Sequence, residues 1–249
     1  MDAGSWELTR FYRELARWWP LVSPVADYAG EAAEFARIIR GALPAARTIL
    51  ELGSGGGHNA FHLKQEFTLT LTDISRDMLA VSRHLNPECE HLPGDMRTLD
   101  LGRTFDVVFV HDAIDYMVTE ADLSAAITTA HRHCRPGGVT LFVPDNVRES
   151  FVPDTDCGGS DGAGGDGVRY LEWSYDPDPA DTVTTTEYAF LTREIDGTVR
   201  SHRETHLCGL FPRATWLRLL EQRGFWPDVV EEQTDEDRPP RTLFLARRT

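Results

Sequence analysis

The chain has 249 residues, of which 41% are apolar, which suffices for one α/β domain with its own core and a sizeable insertion. Its formal net charge of −15 disfavours nucleic acid and anionic membranes as partners, because both are held by clustered Lys and Arg. Cys89, Cys134, Cys157 and Cys208 lack the spacing of a zinc site or a disulfide framework, so no metal and a reducing, cytoplasmic setting are expected. Neither a basic, apolar leader nor a run of about eighteen apolar residues is present, and a soluble protein is expected.

In chain order, Trp6, Phe11, Tyr12, Trp18 and Trp19 lie in a segment, 5–20, that predicts a short helix stopping before Pro20. Over 27–43 the apolar residues Tyr28, Ala32, Phe35, Ala36, Ile39 and Leu43 recur at helical spacing, and Pro44 ends the run. Thr48 to Leu52 reads as a buried central strand. It breaks into Gly53-Ser54-Gly55-Gly56-Gly57, and a helix follows over 58–66. Residues 67–74 alternate as a strand ending in Asp73, a third strand closes at 91–97, and 105–110 is a strongly apolar fourth strand. A helix over 120–134, a turn at 135–138 and a fifth strand over 139–143 come next.

Residues 154–167 are glycine and acid with almost nothing apolar, and predict a mobile surface loop near the substrate entrance. Three strands, 168–175, 182–193 and 198–207, then form an antiparallel insertion, with Asp196-Gly197 as a hairpin turn. A helix from Pro212 to Gly224 and a closing pair of strands, 225–230 and 242–246, complete the chain.

The chemistry starts at the glycine loop. Ligands of open α/β sheets sit beyond the carboxyl ends of the strands, where glycines let them approach the backbone. Gly53, Gly55 and Gly57 give G-x-G-x-G, whereas a dinucleotide fingerprint needs its third glycine at position 58, which is His. Glu51 would repel a phosphate and would hold an ammonium. A zwitterionic cofactor therefore fits better than a pyrophosphate.

This acid, followed by G-x-G-x-G after a first strand, resembles motif I of the class I S-adenosylmethionine-dependent methyltransferases. Asp73, the Gly94-Asp95-Met96 segment and the Pro136-Gly137-Gly138 turn resemble later motifs in the same order. The antiparallel insertion followed by His206-Leu207-Cys208-Gly209 resembles the branch with glycine N-methyltransferases and amino-sugar N-methyltransferases. The resemblance implies a Rossmann-like, doubly wound, seven-stranded mixed sheet with an N-terminal helical lid and an antiparallel β insertion after strand five. One domain over 1–249 is expected: lid and first helices 1–43, cofactor core 44–143, insertion 144–210, final helix and strands 211–249.

It also implies S-adenosyl-L-methionine as cofactor, held by Tyr12, Glu51, Gly53, Ser54, Gly55, Asp73, Ile74, Met78, Asp95, Met96 and His111. Asp73 lies about twenty residues beyond the glycines, the spacing that sets an acid beside a ribose. Trp19, Asp112, Tyr116 and His206 would face a small-molecule acceptor, an amino sugar or secondary metabolite methylated on nitrogen or oxygen. His206 and Tyr116 are the candidate catalytic groups, although a satisfied histidine on a half-buried strand reads the same way. An NAD-dependent oxidoreductase and a non-catalytic nucleoside-binding module are the rival readings, and the oligomeric state stays open, a homodimer included.

Overall fold

The computed structural model describes residues 9–234 and 238–249, so Trp6 and the start of the aromatic segment lie outside the described residues. Strand β1 (Thr48–Leu52) is central because four of its five residues are buried on alternating faces. Ile49 packs with Phe35 and Ile39 on one face, while Leu50 and Leu52 join Leu123, Ile127 and Trp216 on the other. The pattern repeats in β4 (Phe105–Val110), with Val107 and Phe109 on the first side and Val108 and Val110 on the second.

With β2 (Thr68–Asp73), β3 (Glu90–Pro93), β5 (Cys134–Phe142), β10 (Phe225–Glu231) and β11 (Thr242–Arg248), these strands form a seven-stranded sheet ordered β10-β11-β5-β4-β1-β2-β3. The first five strands run parallel. β11 inserts antiparallel between β5 and β10. The order reverses between β1 and β4, the point at which open α/β sheets leave a crevice above the carboxyl ends of their strands. Helices α2 (Ala29–Ala42) and α3 (His58–Leu63) cover one face, and α5 (Glu120–His133) and α6 (Arg213–Gln222) the other. This is a Rossmann-like mixed sheet.

A second sheet, ordered β6-β7-β8-β9, consists of β6 (Asp154–Gly158), β7 (Gly167–Tyr175), β8 (Val183–Arg193) and β9 (Val199–Gly209), all antiparallel. Asp196-Gly197 does turn the β8–β9 hairpin, with Gly197 at a φ of 85° that suits glycine. The insertion nevertheless has four strands instead of the three expected. Residues 154–158, read as loop, pair along Tyr170–Ser174 because a ladder needs only backbone groups, which glycine and aspartate supply as well as any residue.

Phe11, Leu15 and Trp18 pack with Val168 and Phe190 of this sheet, and the Phe11 and Phe190 rings stack at 4.5 Å. The lid is thereby joined to the insertion. Ser160 adds two bonds, its amide and its hydroxyl each reaching the Leu21 carbonyl at 2.9 Å. The expected helix ending before Pro20 is instead a 3-10 turn, Ala16–Trp18, followed by a short α1 (Trp19–Val22) with Pro20 in its first turn. Proline is accepted there because a first-turn amide has no partner within the helix. β5 begins at Cys134 and carries the Pro136-Gly137-Gly138 turn as an irregularity in its pairing with β4. No helix among the described residues is long and apolar enough to cross a membrane.

Candidate active site

The glycine loop closes tightly on its surroundings. Gly53, Gly55 and Gly57 have φ of 73°, 52° and 75°, in the left-handed region where a Cβ is strained. A Cβ at Gly53 would lie 2.4 Å from Ala113 Cβ and 2.8 Å from Met96 Cε, and one at Gly56 would meet the Trp19 ring at 2.5 Å. Asp73, at the end of β2, accepts from the Gly55 amide at 2.8 Å and the Ser75 amide at 2.7 Å. It anchors the loop and the start of α4 (Arg76–Leu85), whose N-cap is Ser75. Each oxygen keeps a lone pair for a further donor. Burial raises the Asp73 pKa, and the two amides oppose the rise.

Glu51, at the end of β1, is 3% exposed, and its Oε2 has no hydrogen-bond partner. Burial pushes its pKa up to about 8, with His111 opposing and Asp73 adding to the rise. An unpartnered buried carboxyl oxygen beside a glycine cradle, with a second carboxylate at the neighbouring strand end, is an acceptor set suited to a nucleoside carrying an ammonium. S-adenosylmethionine fits it.

A second group surrounds Arg241 on β11's approach. Its guanidinium meets Glu31 at 2.6 Å and Glu232 at 2.8 Å, and also faces His111 Nε2 at 3.0 Å and Asp112 Oδ1 at 3.4 Å. Burial alone would raise Glu31 and Glu232, but His111 and Arg241 hold the first, and Arg238 and Arg241 the second, down to about 2. His111 is pulled two ways. Burial lowers its pKa and Asp112 and Glu31 raise it to about 10, while the Arg241 N–H at 3.0 Å favours a ring whose Nε2 is unprotonated. Nδ1, 3.0 Å from Asp112, then carries the ring proton in this geometry. Asp145 is driven up to about 7 by burial and Asp112, although its side chain is 57% exposed and water tempers the effect. A cavity of about 420 Å³ lies here, lined by Asp27, Tyr28, Glu31, His111 and Asp112. A larger hollow of about 790 Å³ lies outside the lid, against α4, away from Glu51 and Asp73.

A third group hangs under the insertion. The Tyr116 hydroxyl donates to Tyr12 at 2.8 Å and lies 2.8 Å from His206 Nδ1, while His206 Nε2 lies 3.2 Å from Glu204 Oε2. Tyr12 and Tyr116 rings meet edge-on at 5.7 Å, and the Tyr188 ring lies 4.8 Å from His206. Burial pushes both the Tyr12 and Tyr116 hydroxyls well above their ordinary value, so both stay protonated at neutral pH.

Of the residues singled out from sequence, Glu51, Gly53, Ser54, Gly55 and Asp73 therefore lie together at the crevice, and Tyr12, Tyr116 and His206 lie together above it. Met96 packs toward Gly53 and Met78 toward Gly55, while Ile74 is 49% exposed beside them. Asp95 is turned to Arg97, whose Nη2 reaches Oδ2 at 2.6 Å. Trp19 donates its indole N–H to His58 Nδ1 at 2.7 Å, which commits its polar edge to the glycine-loop helix. Glu204, Arg241 and Glu31 escaped the sequence reading. Glu204 carried a signal, since residues 204 and 206 share a face of one strand; Arg241 carried none.

Residues 49–138 match the methyltransferase domain family. The chain is 32% identical over 200 residues to the dTDP-3-amino-3,6-dideoxy-alpha-D-glucopyranose N,N-dimethyltransferase of Streptomyces fradiae, covering 80% of this chain and 77% of that one. It is 31% identical to the dTDP-3-amino-3,4,6-trideoxy-alpha-D-glucopyranose N,N-dimethyltransferase of Streptomyces venezuelae, over 82% of this chain and 86% of that one. The chain belongs to the S-adenosylmethionine-dependent methyltransferases.

Among solved structures, the sugar N-methyltransferase KedS8 of Streptoalloteichus superposes with a TM-score of 0.81 at 27% identity, covering 100% of this chain and 98% of that one. The methyltransferase's likeness to CalS10 of Micromonospora echinaspora, an amino pentose methyltransferase solved with S-adenosylmethionine bound, has a TM-score of 0.75 at 27% identity and covers 100% of both chains. The named relatives fall on the amino-sugar side of the branch that the insertion suggested.

Proposed function

We propose that this methyltransferase, working as one domain, transfers methyl groups to the amino nitrogen of a nucleotide-linked amino sugar. The observation that carries the reading is the meeting of Tyr12, Tyr116 and His206 under the insertion, above the strand ends that carry Glu51 and Asp73. The names of the relatives supply the acceptor class.

S-adenosylmethionine supplies an electrophilic methyl group on a sulfonium. Glu51 would hold its ammonium and Asp73 its ribose hydroxyls, with Gly53, Ser54 and Gly55 giving backbone approach. Ile74 and Met78 would flank the adenine, and Asp95 and Met96 would meet its polar edge; Asp95 must then share its carboxylate with Arg97. Tyr12 and His111 would close the methionine end. Trp19 and Asp112 would border the acceptor.

An amine attacks only as the neutral base, so a group that accepts its proton raises the reactive fraction. His206, through Tyr116, would do so, and holding nitrogen and methyl in line would contribute several kcal/mol more; their hydrogen bond at 2.8 Å supports this reading. The test is incubation with S-adenosylmethionine and dTDP-3-amino-3,6-dideoxy-alpha-D-glucopyranose, followed by mass spectrometry. Methyl addition at the amine is expected. Transfer to a hydroxyl acceptor and none to amino sugars would overturn the reading.

A further inference from the structure

Glu204 closes the Tyr116–His206 chain and is itself 8% exposed, with Oε1 lacking any hydrogen-bond partner. His206 is 3% exposed, so water does not readily reach either group. A carboxylate is rarely buried on a strand without a partner that uses its charge. Here the partner is the imidazole at 3.2 Å.

The consequence runs along the hydrogen bonds. An ionised Glu204 can only accept, so it holds the ring proton on Nε2. Nδ1 is then a lone pair, able to accept from Tyr116. The Tyr116 hydroxyl has one proton and two neighbours, Tyr12 and His206, each at 2.8 Å. In this structure it donates to Tyr12; a turn about the C–O bond brings the proton to His206 and leaves the oxygen free to accept from the pocket. Without Glu204 the ring has no reason to prefer that tautomer, and Tyr116 keeps its proton turned to Tyr12.

We propose that Glu204 is a positioning residue that sets the direction of a proton relay, Tyr116 to His206 to Glu204, which takes the proton released at each methylation. The proposal rests on the amino-sugar reading above. When the acceptor nitrogen has gained its methyl group it is a cation. Its N–H bond breaks with the electron pair staying on nitrogen, and the proton passes to Tyr116 O. The Tyr116 proton moves to His206 Nδ1, and the Nε2 proton moves to Glu204 Oε2. The amine is neutral again, Glu204 is an uncharged acid, and His206 has exchanged one tautomer for the other. Once the methylated product has left, the proton returns along the same chain to water in the open pocket, which resets the relay for a second methyl.

The experiment compares wild type, Glu204→Gln and Tyr116→Phe. At pH 7 kcat should fall about 10²-fold in both variants, with KM for the acceptor little changed. The deficit should shrink as pH rises and hydroxide removes the proton directly. The double variant should be no slower than either single one, and Tyr116→Phe tests the same relay should Glu204→Gln fail to fold. A second readout is independent of the acceptor: nitrogen-15 NMR of His206 should show the Nε2–H tautomer in wild type and a mixture in Glu204→Gln. An Nδ1–H tautomer in wild type, or an equal loss of kcat at every pH, would overturn the relay. If wild type methylates no amino sugar, the functional reading fails while the tautomer still decides the role of Glu204.

Discussion

Two buried sets of charge share the carboxyl edge of the sheet, and they differ in completeness. Around Arg241, Glu31 and Glu232 are both bonded by the guanidinium and hold low pKa values. Around Glu51, one oxygen has no donor and the pKa is pushed up to about 8. A satisfied cluster joins parts of a fold; an unsatisfied one leaves bonding capacity for something that arrives later. Arg241 links the chain before β11 to α2 and to the end of β4, whereas Glu51 waits beside the glycine loop.

The sharpest way to break this comparison is to remove Arg241. Among the described residues, Arg241→Met leaves Glu31 with Asn59 alone for a hydrogen-bond donor and Glu232 with Arg238 alone for a charged partner, and should reduce stability by about 3 kcal/mol, read by denaturant unfolding. Because those acids are held below their unfolded values, near 4.5, their contribution is present above that pH and is lost as pH falls toward 2. The variant should therefore lose the part of the wild type's pH dependence in that window that comes from Glu31, while Arg238 keeps that of Glu232. A loss under about 1 kcal/mol would mean the cluster is not structural.

Next in size, Asp73→Ala should weaken S-adenosylmethionine binding by at least about tenfold, since hydrogen bonds to a charged acceptor contribute roughly 1.5–3 kcal/mol. Equal affinity by calorimetry would remove Asp73 from the ribose. The smallest effect sharpens the other side. Glu51 favours its protonated form, so its burial disfavours the free fold increasingly as pH climbs from about 4.5 to about 8. An ammonium beside it reverses that preference and expels the proton. Cofactor affinity should rise with pH between 6 and 8, by at most about tenfold per unit, with proton release visible as buffer-dependent heat. Glu51→Gln should flatten the slope, and a flat slope in wild type would detach Glu51 from the cofactor's ammonium.

What could be read from residues alone follows the same division. The β1–loop–α3 unit was legible because its signals are local: an apolar run, glycines at fixed spacing and an acid at the strand end. Resemblance alone gave Tyr12 to the cofactor and Tyr116 and His206 to the acceptor, and their meeting was not read, because 104 positions separate the two tyrosines and no local pattern joins them. Arg241 was invisible, since its partners come from α2, β4 and the segment after β10. β6 was misread as loop because a sheet edge asks little of side chains, and the glycines that suggested mobility supply its ladder equally well.

The two bonds from Ser160 to the Leu21 carbonyl give the enzyme a clasp. Any swing of the aromatic lid away from the crevice must undo both, at roughly 1 kcal/mol each, as well as unstack Phe11 from Phe190. On the proposed function, exchange of spent nucleoside for fresh would then loosen the acceptor's ceiling as well, and the two compartments would open together.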